Sequence, residues 1–113
     1  MNTWPTRVLC QHRLGVIAET LRPLTKKGVL YGSQVHSPSL DRDIDVVVII
    51  ENGNEEVIFR SVARLQMMFS QIVHVVVVSE RDLERNPSWL KLIEKGVVLW
   101  KGRASGRDSL LSA

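Results

Sequence analysis

Residues 43–50 read Asp-Ile-Asp-Val-Val-Val-Ile-Ile, and this run constrains the chain more than any other segment. Its five consecutive β-branched residues are stiff at χ1 and favour a strand. An apolar run without polar alternation belongs to a strand buried on both faces. Such a strand must lie inside a sheet, with other elements covering it. Alternate side chains of a strand share a face, so Asp43 and Asp45 point the same way and Ile44 turns back toward the core. Two carboxylates side by side at the mouth of a buried strand repel each other and are costly there unless a cation sits between them. Mg²⁺, which takes one or two carboxylates together with phosphate oxygens and water, is the natural guest. A polar hairpin loop that uses the same Asp residues as turn formers is the competing reading. The position of Asp45 inside the strand pattern weighs against it.

Upstream, Val29-Leu30-Tyr31 reads as a short strand that delivers Gly32-Ser33. A Gly-Ser turn offers backbone N–H groups and a hydroxyl, which suit phosphate oxygens. Residues 34–42, with Ser37, Pro38 and Ser39, form the connection to Asp43.

The rest of the pattern alternates helix and strand. Val8, Leu9, Leu14, Ile17 and Leu21 have roughly helical spacing over 6–22, with Thr3 or Thr6 as a cap and Pro23 near the end. Lys26-Lys27-Gly28 reads as a loop. Glu51 to Asn54 is a turn signal, and Asn54 caps a helix over 55–68 with Glu55 and Glu56 in its first turn. Its apolar stripe is Val57, Ile58, Val62, Leu65, Met68 and Phe69. Residues 71–78 form a third strand. Ser79-Glu80-Arg81-Asp82 has the form of a capping box. A short helix over 87–94 closes at Lys95-Gly96, and Val97 to Trp100 is a last strand, at an edge. This order predicts an α/β two-layer domain with a mixed β-sheet packed against helices.

A chain of 113 residues is one domain, here residues 1–101. Hydrophobic residues at 44% against 24% charged ones favour a packed core over disorder. The tail 102–113, dominated by Gly, Ser and charges, is expected to be disordered. No apolar run approaches the roughly 20 residues of a membrane span, and no signal peptide is evident. Cys10 is alone, so no internal disulfide forms, and a cytoplasmic location follows. The net charge of +3 is mild and sits partly in the tail, leaving nucleotides or nucleic acid open as anionic partners. Trp89, Trp100 and the Met67-Met68-Phe69 cluster read as packing residues, and Trp4 as an exposed anchor.

The pattern of apolar strand, Gly32-Ser33, spacer and Asp43-x-Asp45 entering a second apolar strand resembles the nucleotidyltransferase superfamily related to DNA polymerase β. It is most similar to the small, single-domain minimal nucleotidyltransferases, from about Lys27 to Lys101. The resemblance implies transfer of a nucleoside monophosphate from an NTP, ATP first, to a hydroxyl acceptor. Two Mg²⁺ or Mn²⁺ ions held by Asp43 and Asp45 stabilise the attacking and leaving oxygens in such chemistry. Gly32 and Ser33 would hold the β- and γ-phosphates. The family's third carboxylate falls on the segment Ile72-Val73-His74-Val75, where this chain has His74. Neutral imidazole is a poor Mg²⁺ ligand and a better one for Mn²⁺, Co²⁺ or Zn²⁺. Three roles for His74 therefore compete. It is a substitute ligand or base, or the mark of a crippled site that still binds nucleotide, or a structural histidine. The spacer also departs from the family: Gln34-Val35-His36-Ser37 lacks its phosphate-meeting Arg. His36 or Arg42 could supply positive charge, and both are equally readable as solvated loop residues. Larger relatives add a helical domain for which this chain has no room. The resemblance thus also implies an antitoxin-like module that pairs with a small helical HEPN-type protein, and homo- or hetero-oligomers that cover the sheet edges.

Overall fold

A computed structural model of the chain describes residues 5–51 and 53–102. The tail expected to be disordered, from residue 103 on, and Trp4 lie outside them. Four strands form one mixed sheet in the order β3-β2-β1-β4. These are β1 (Lys27–Tyr31), β2 (Ile44–Ile50), β3 (Val73–Ser79) and β4 (Val97–Lys101). β1 pairs antiparallel with both β2 and β4, and β2 pairs parallel with β3. The α-helices among the described residues are α1 (Thr6–Leu21), α2 (Ser33–His36), α3 (Glu55–Phe69), α4 (Glu80–Arg85) and α5 (Pro87–Lys95). The parallel pair needs a crossover, and α3 supplies it.

β2 is buried along its whole length apart from Asp45, as its unbroken apolar run requires. Its two faces meet different partners. Ile44, Val46, Val48 and Ile50 join Leu30, Val73 and Val75 against Ile17 and Leu21 of α1 and Ile58, Val62, Leu65 and Phe69 of α3. Val47 and Ile49 join Val29 and Val78 against Ile93 of α5, with Leu83, Trp89 and Leu92 packed at the margin. The principal layers are therefore the sheet and the α1–α3 pair, and the short α4–α5 pair covers part of the far face.

Several local expectations change. β1 begins at Lys27 rather than after Gly28, because Lys27 and Gly28 pair with Ile49 and Val48. α2 is a single helical turn inside the segment read as a plain connection. The helix start at Thr6 follows Pro5 without a side-chain cap, and Asn54 also makes no side-chain cap bond to α3. Ser79 and Asp82 do form the reciprocal capping box. Gly96 is extended (φ −84°) rather than left-handed; it is needed because a Cβ there would meet Val29 and the Leu30 carbonyl. Only the face through Ile58, Val62, Leu65 and Phe69 reaches the sheet. Val57 and Met68 lie a fraction of a turn aside and stay exposed. The Met67-Met68-Phe69 cluster accordingly divides: Phe69 is core, whereas Met67 is 84% and Met68 67% exposed. Val8 likewise faces outward on α1.

Trp100 is buried where β4 meets β1, and its indole N–H donates to Thr25 Oγ1 at 2.8 Å. The ring lies over Gly28, its register partner. A Cβ at Gly28 would run into the indole, which the Thr25 bond and the core hold in place. Gly28→Ala is therefore expected to lower stability by about 1–3 kcal/mol through overpacking, read as a reduced urea midpoint with an unchanged m-value.

Candidate active site

The site is built where three strands end together. β1 delivers Tyr31 and then Gly32, β2 begins at Ile44 just after Asp43, and β3 carries His74 as its second residue. The ladder places Tyr31 opposite Asp45 and Asp45 opposite His74, so the three form one row across the sheet. The next row on that face is Val29, Val47 and Val76. Val29 and Val47 lie in the cluster with Ile93 of α5. The polar row therefore sits at the rim of the α5-covered face, opposite the α1–α3 core.

Asp45 is the best-enclosed charge in the row, with its side chain 24% exposed. Its Oδ1 lies 3.3 Å from His74 Nδ1, and His74 itself is 62% exposed. Its Oδ2 leans over Gly32, where a Cβ would come within 2.9 Å of it. Gly32 also has φ +78°, a conformation that side-chain-bearing residues avoid. Glycine is thus required twice: to turn the chain and to admit the carboxylate. Asp43 is exposed, one residue before β2, while Ile44 between the two acids is buried in the core. Ser33 is exposed at the start of α2.

The two cationic candidates of the spacer are placed differently from the acids. His36 is the exposed last residue of α2. Arg42 is exposed, and its Nη2 donates to the Ser37 carbonyl and hydroxyl, both at 2.9 Å. Its guanidinium closes the loop on itself.

Tyr31 had no place in the sequence reading of the site. Burial pushes its phenol above the ordinary tyrosine value, and the Asp45 carboxylate pushes it the same way. The signal in the sequence was its position immediately before Gly32, which becomes informative once strand register puts it opposite Asp45.

As to a metal, no group of three or more His, Cys, Asp or Glu among the described residues is arranged to hold one. Asp43 and Asp45 are instead two hard oxygen donors at an open rim. That suits a cation completed by phosphate oxygens and water, the habit of Mg²⁺.

The architecture is the two-layer nucleotidyltransferase fold that the sequence resemblance leads one to expect. Among solved structures, the chain superposes on one in the crystal structure of the MntA–HepT toxin–antitoxin with a TM-score of 0.53 and 20% identity, covering 89% of this chain and 78% of that one. A protein from Shewanella oneidensis superposes with a TM-score of 0.52 and 16% identity, covering 95% and 79%. At these identities the likeness is one of fold. No protein-family model and no curated protein matches the chain.

Tyr31 is the chain's single tyrosine and so reports on the row. Asp45→Asn is expected to lower its pKa in a 295 nm absorbance titration. Because burial is the larger cause, the value should stay above that of free tyrosine. An unchanged titration would separate Asp45 from Tyr31.

Proposed function

We propose that this chain is a metal-dependent nucleotidyltransferase that moves a nucleoside monophosphate from an NTP, ATP in the first instance, to a hydroxyl acceptor. The observation that carries the reading is the approach of Asp45 Oδ2 to the Gly32 turn at the end of the sheet where β2 begins, one residue after Asp43. In the reaction the acceptor oxygen forms a bond to the α-phosphorus, and the bond from that phosphorus to the pyrophosphate oxygen breaks. Asp43 and Asp45 are the residues to hold the divalent cations. Bound there, Mg²⁺ or Mn²⁺ neutralises charge on the attacking and leaving oxygens. The backbone of Gly32 and the N–H and hydroxyl of Ser33 bind and orient the β- and γ-phosphates. Arg42, closed on Ser37, adds positive charge beside Asp43 rather than a second phosphate fork.

His74 occupies the position beside Asp45 where the family's third acid is expected. An imidazole there suits Mn²⁺ better than Mg²⁺, and its ring nitrogen can take the acceptor's proton. The same observation favours a second reading: an antitoxin-like module of weak activity whose main business is a protein partner. The neighbouring fold occurs in a toxin–antitoxin pair, which supports a protein partner; in this reading a small helical protein is both partner and acceptor. Apolar surface for such a partner, or for a second copy, exists on β4 (Val97, Val98) and on α3 (Met67, Met68). The basic balance leaves nucleic acid as a further acceptor class. No helix among the described residues is long and apolar enough to cross a membrane.

Calorimetric titration of ATP with Mg²⁺ and then Mn²⁺ tests the reading. Binding should require a metal, be tighter with Mn²⁺, and vanish in the Asp43→Asn/Asp45→Asn double variant. His74→Asp should raise Mg²⁺-dependent transfer, because a carboxylate there is a better Mg²⁺ ligand than an imidazole. Absence of binding with either metal would refute the autonomous enzyme and leave the partner module.

A further inference from the structure

We propose that the carboxamides of Gln34 and Gln71 form a clamp that positions Asp43 against the Gly32-Ser33 turn. The proposal rests on the metal–nucleotide reading of that site.

The loop of residues 37–43 joins α2 to β2, and sheet pairing begins only where Ile44 N–H donates to the Ile72 carbonyl at 2.9 Å. Ser37, Pro38, Asp41, Arg42 and Asp43 are all exposed, so little apolar burial holds the loop. Two glutamines do. Gln34 and Gln71 are 6% and 7% exposed, and with Thr25 they are the buried polar side chains of the described residues. Gln34 Nε2 donates to the Ser39 carbonyl at 2.8 Å and to the Arg42 carbonyl at 3.0 Å. Gln71 Nε2 donates to the same two carbonyls, at 2.9 and 2.7 Å. Each carbonyl thus fills both lone pairs, and each amide uses both hydrogens.

The orientation of each amide is dictated by its other end. Ser39 N–H donates to Gln34 Oε1 at 2.8 Å. The Arg13 guanidinium donates to Gln71 Oε1, and a guanidinium can only donate. The Nε2 groups must therefore face the loop. Arg13 is itself steadied over the Phe69 ring, 5.5 Å from its centroid. Ser70, left-handed at φ +53°, ends α3 and leads directly into Gln71.

What the clamp grips matters. The Arg42 carbonyl belongs to the peptide unit that carries the Asp43 nitrogen, so two hydrogen bonds fix the plane from which Asp43 projects. Gln34 follows Ser33 in α2, so the same bonds tie the phosphate turn to the acid. Behind the clamp lies a largely apolar cavity of about 210 Å³, lined by residues that include Leu14, Val35 and Leu99 together with Gln34 and Gln71. Hydrogen bonds rather than close apolar packing hold the loop on that side. Such supporting partners keep ligands in place without touching the ion.

The test uses Gln71→Glu, which keeps the size and the Arg13 contact but cannot donate to the carbonyls, and Gln34→Met as an independent second variant. In both, hydrogen exchange within residues 37–43 should rise about tenfold, with β2 protection unchanged. Mn²⁺–ATP affinity should fall about 10- to 100-fold without loss of the thermal transition. Unchanged exchange in that loop overturns the clamp. Faster exchange with unaltered Mn²⁺–ATP affinity overturns its role in positioning Asp43. A wild-type protein that does not bind Mn²⁺–ATP overturns the metal–nucleotide reading and the positioning role together, and the exchange result then separates a structural clamp from none.

Discussion

The structure depends on the burial of one strand from both sides. β2 pairs with β1 on one edge and β3 on the other, and its side chains enter two separate apolar clusters. A strand in that position has no solvent face on which to place charge. Its polar residues are confined to its entrance, and Asp43 and Asp45 are found there. The neighbouring strands must end or begin at the same level to keep the ladder in register. This is why Gly32, Asp45 and His74 meet although they lie far apart in the chain.

That convergence also sets the electrostatics. Asp45 is partly enclosed, with one oxygen toward His74 and the other over Gly32, where the missing side chain makes room. Its charge reaches Tyr31 and disfavours the phenolate. Asp43 stays solvated and has no strand partner, so its position depends on the preceding loop. Gln34 and Gln71 are buried polar groups whose hydrogen bonds are all made within the fold, and both of their Nε2 groups donate to that loop. Leaving such groups unpaired would cost more than the bonds themselves contribute, which makes the loop conformation hard to vary.

Much of this was legible in the residues. The β-branched runs, the Ser79–Asp82 capping box and the Pro87 helix start each express a local preference, and each appears as an element. Period-2 alternation also explains why Asp45 turns away from the α1–α3 core while Ile44 enters it. Other features were not legible. Met67 and Met68 look like core by composition, but only one narrow face of α3 touches the sheet. Gln34 reads as part of a connection and Gln71 as the start of a strand that in fact begins at Val73, because nothing local tells that two carboxamides separated by 37 positions will share the same two carbonyls.

The strands and most of the helices were fixed by the residues alone, since they follow from side-chain periodicity and local backbone preference, whereas the link between the Gly-Ser turn and the Asp-x-Asp strand entrance came from the family resemblance. Tertiary structure alone decided that Tyr31 lies opposite Asp45, and it set the 3.3 Å approach of His74, which the resemblance had placed near the acids. It also decided that Arg42 turns onto Ser37, and that a buried amide pair holds the peptide carrying Asp43. Those are questions of register and of long-range hydrogen bonding. They are settled by which buried groups find partners when the sheet closes, and no local stretch of residues carries that information.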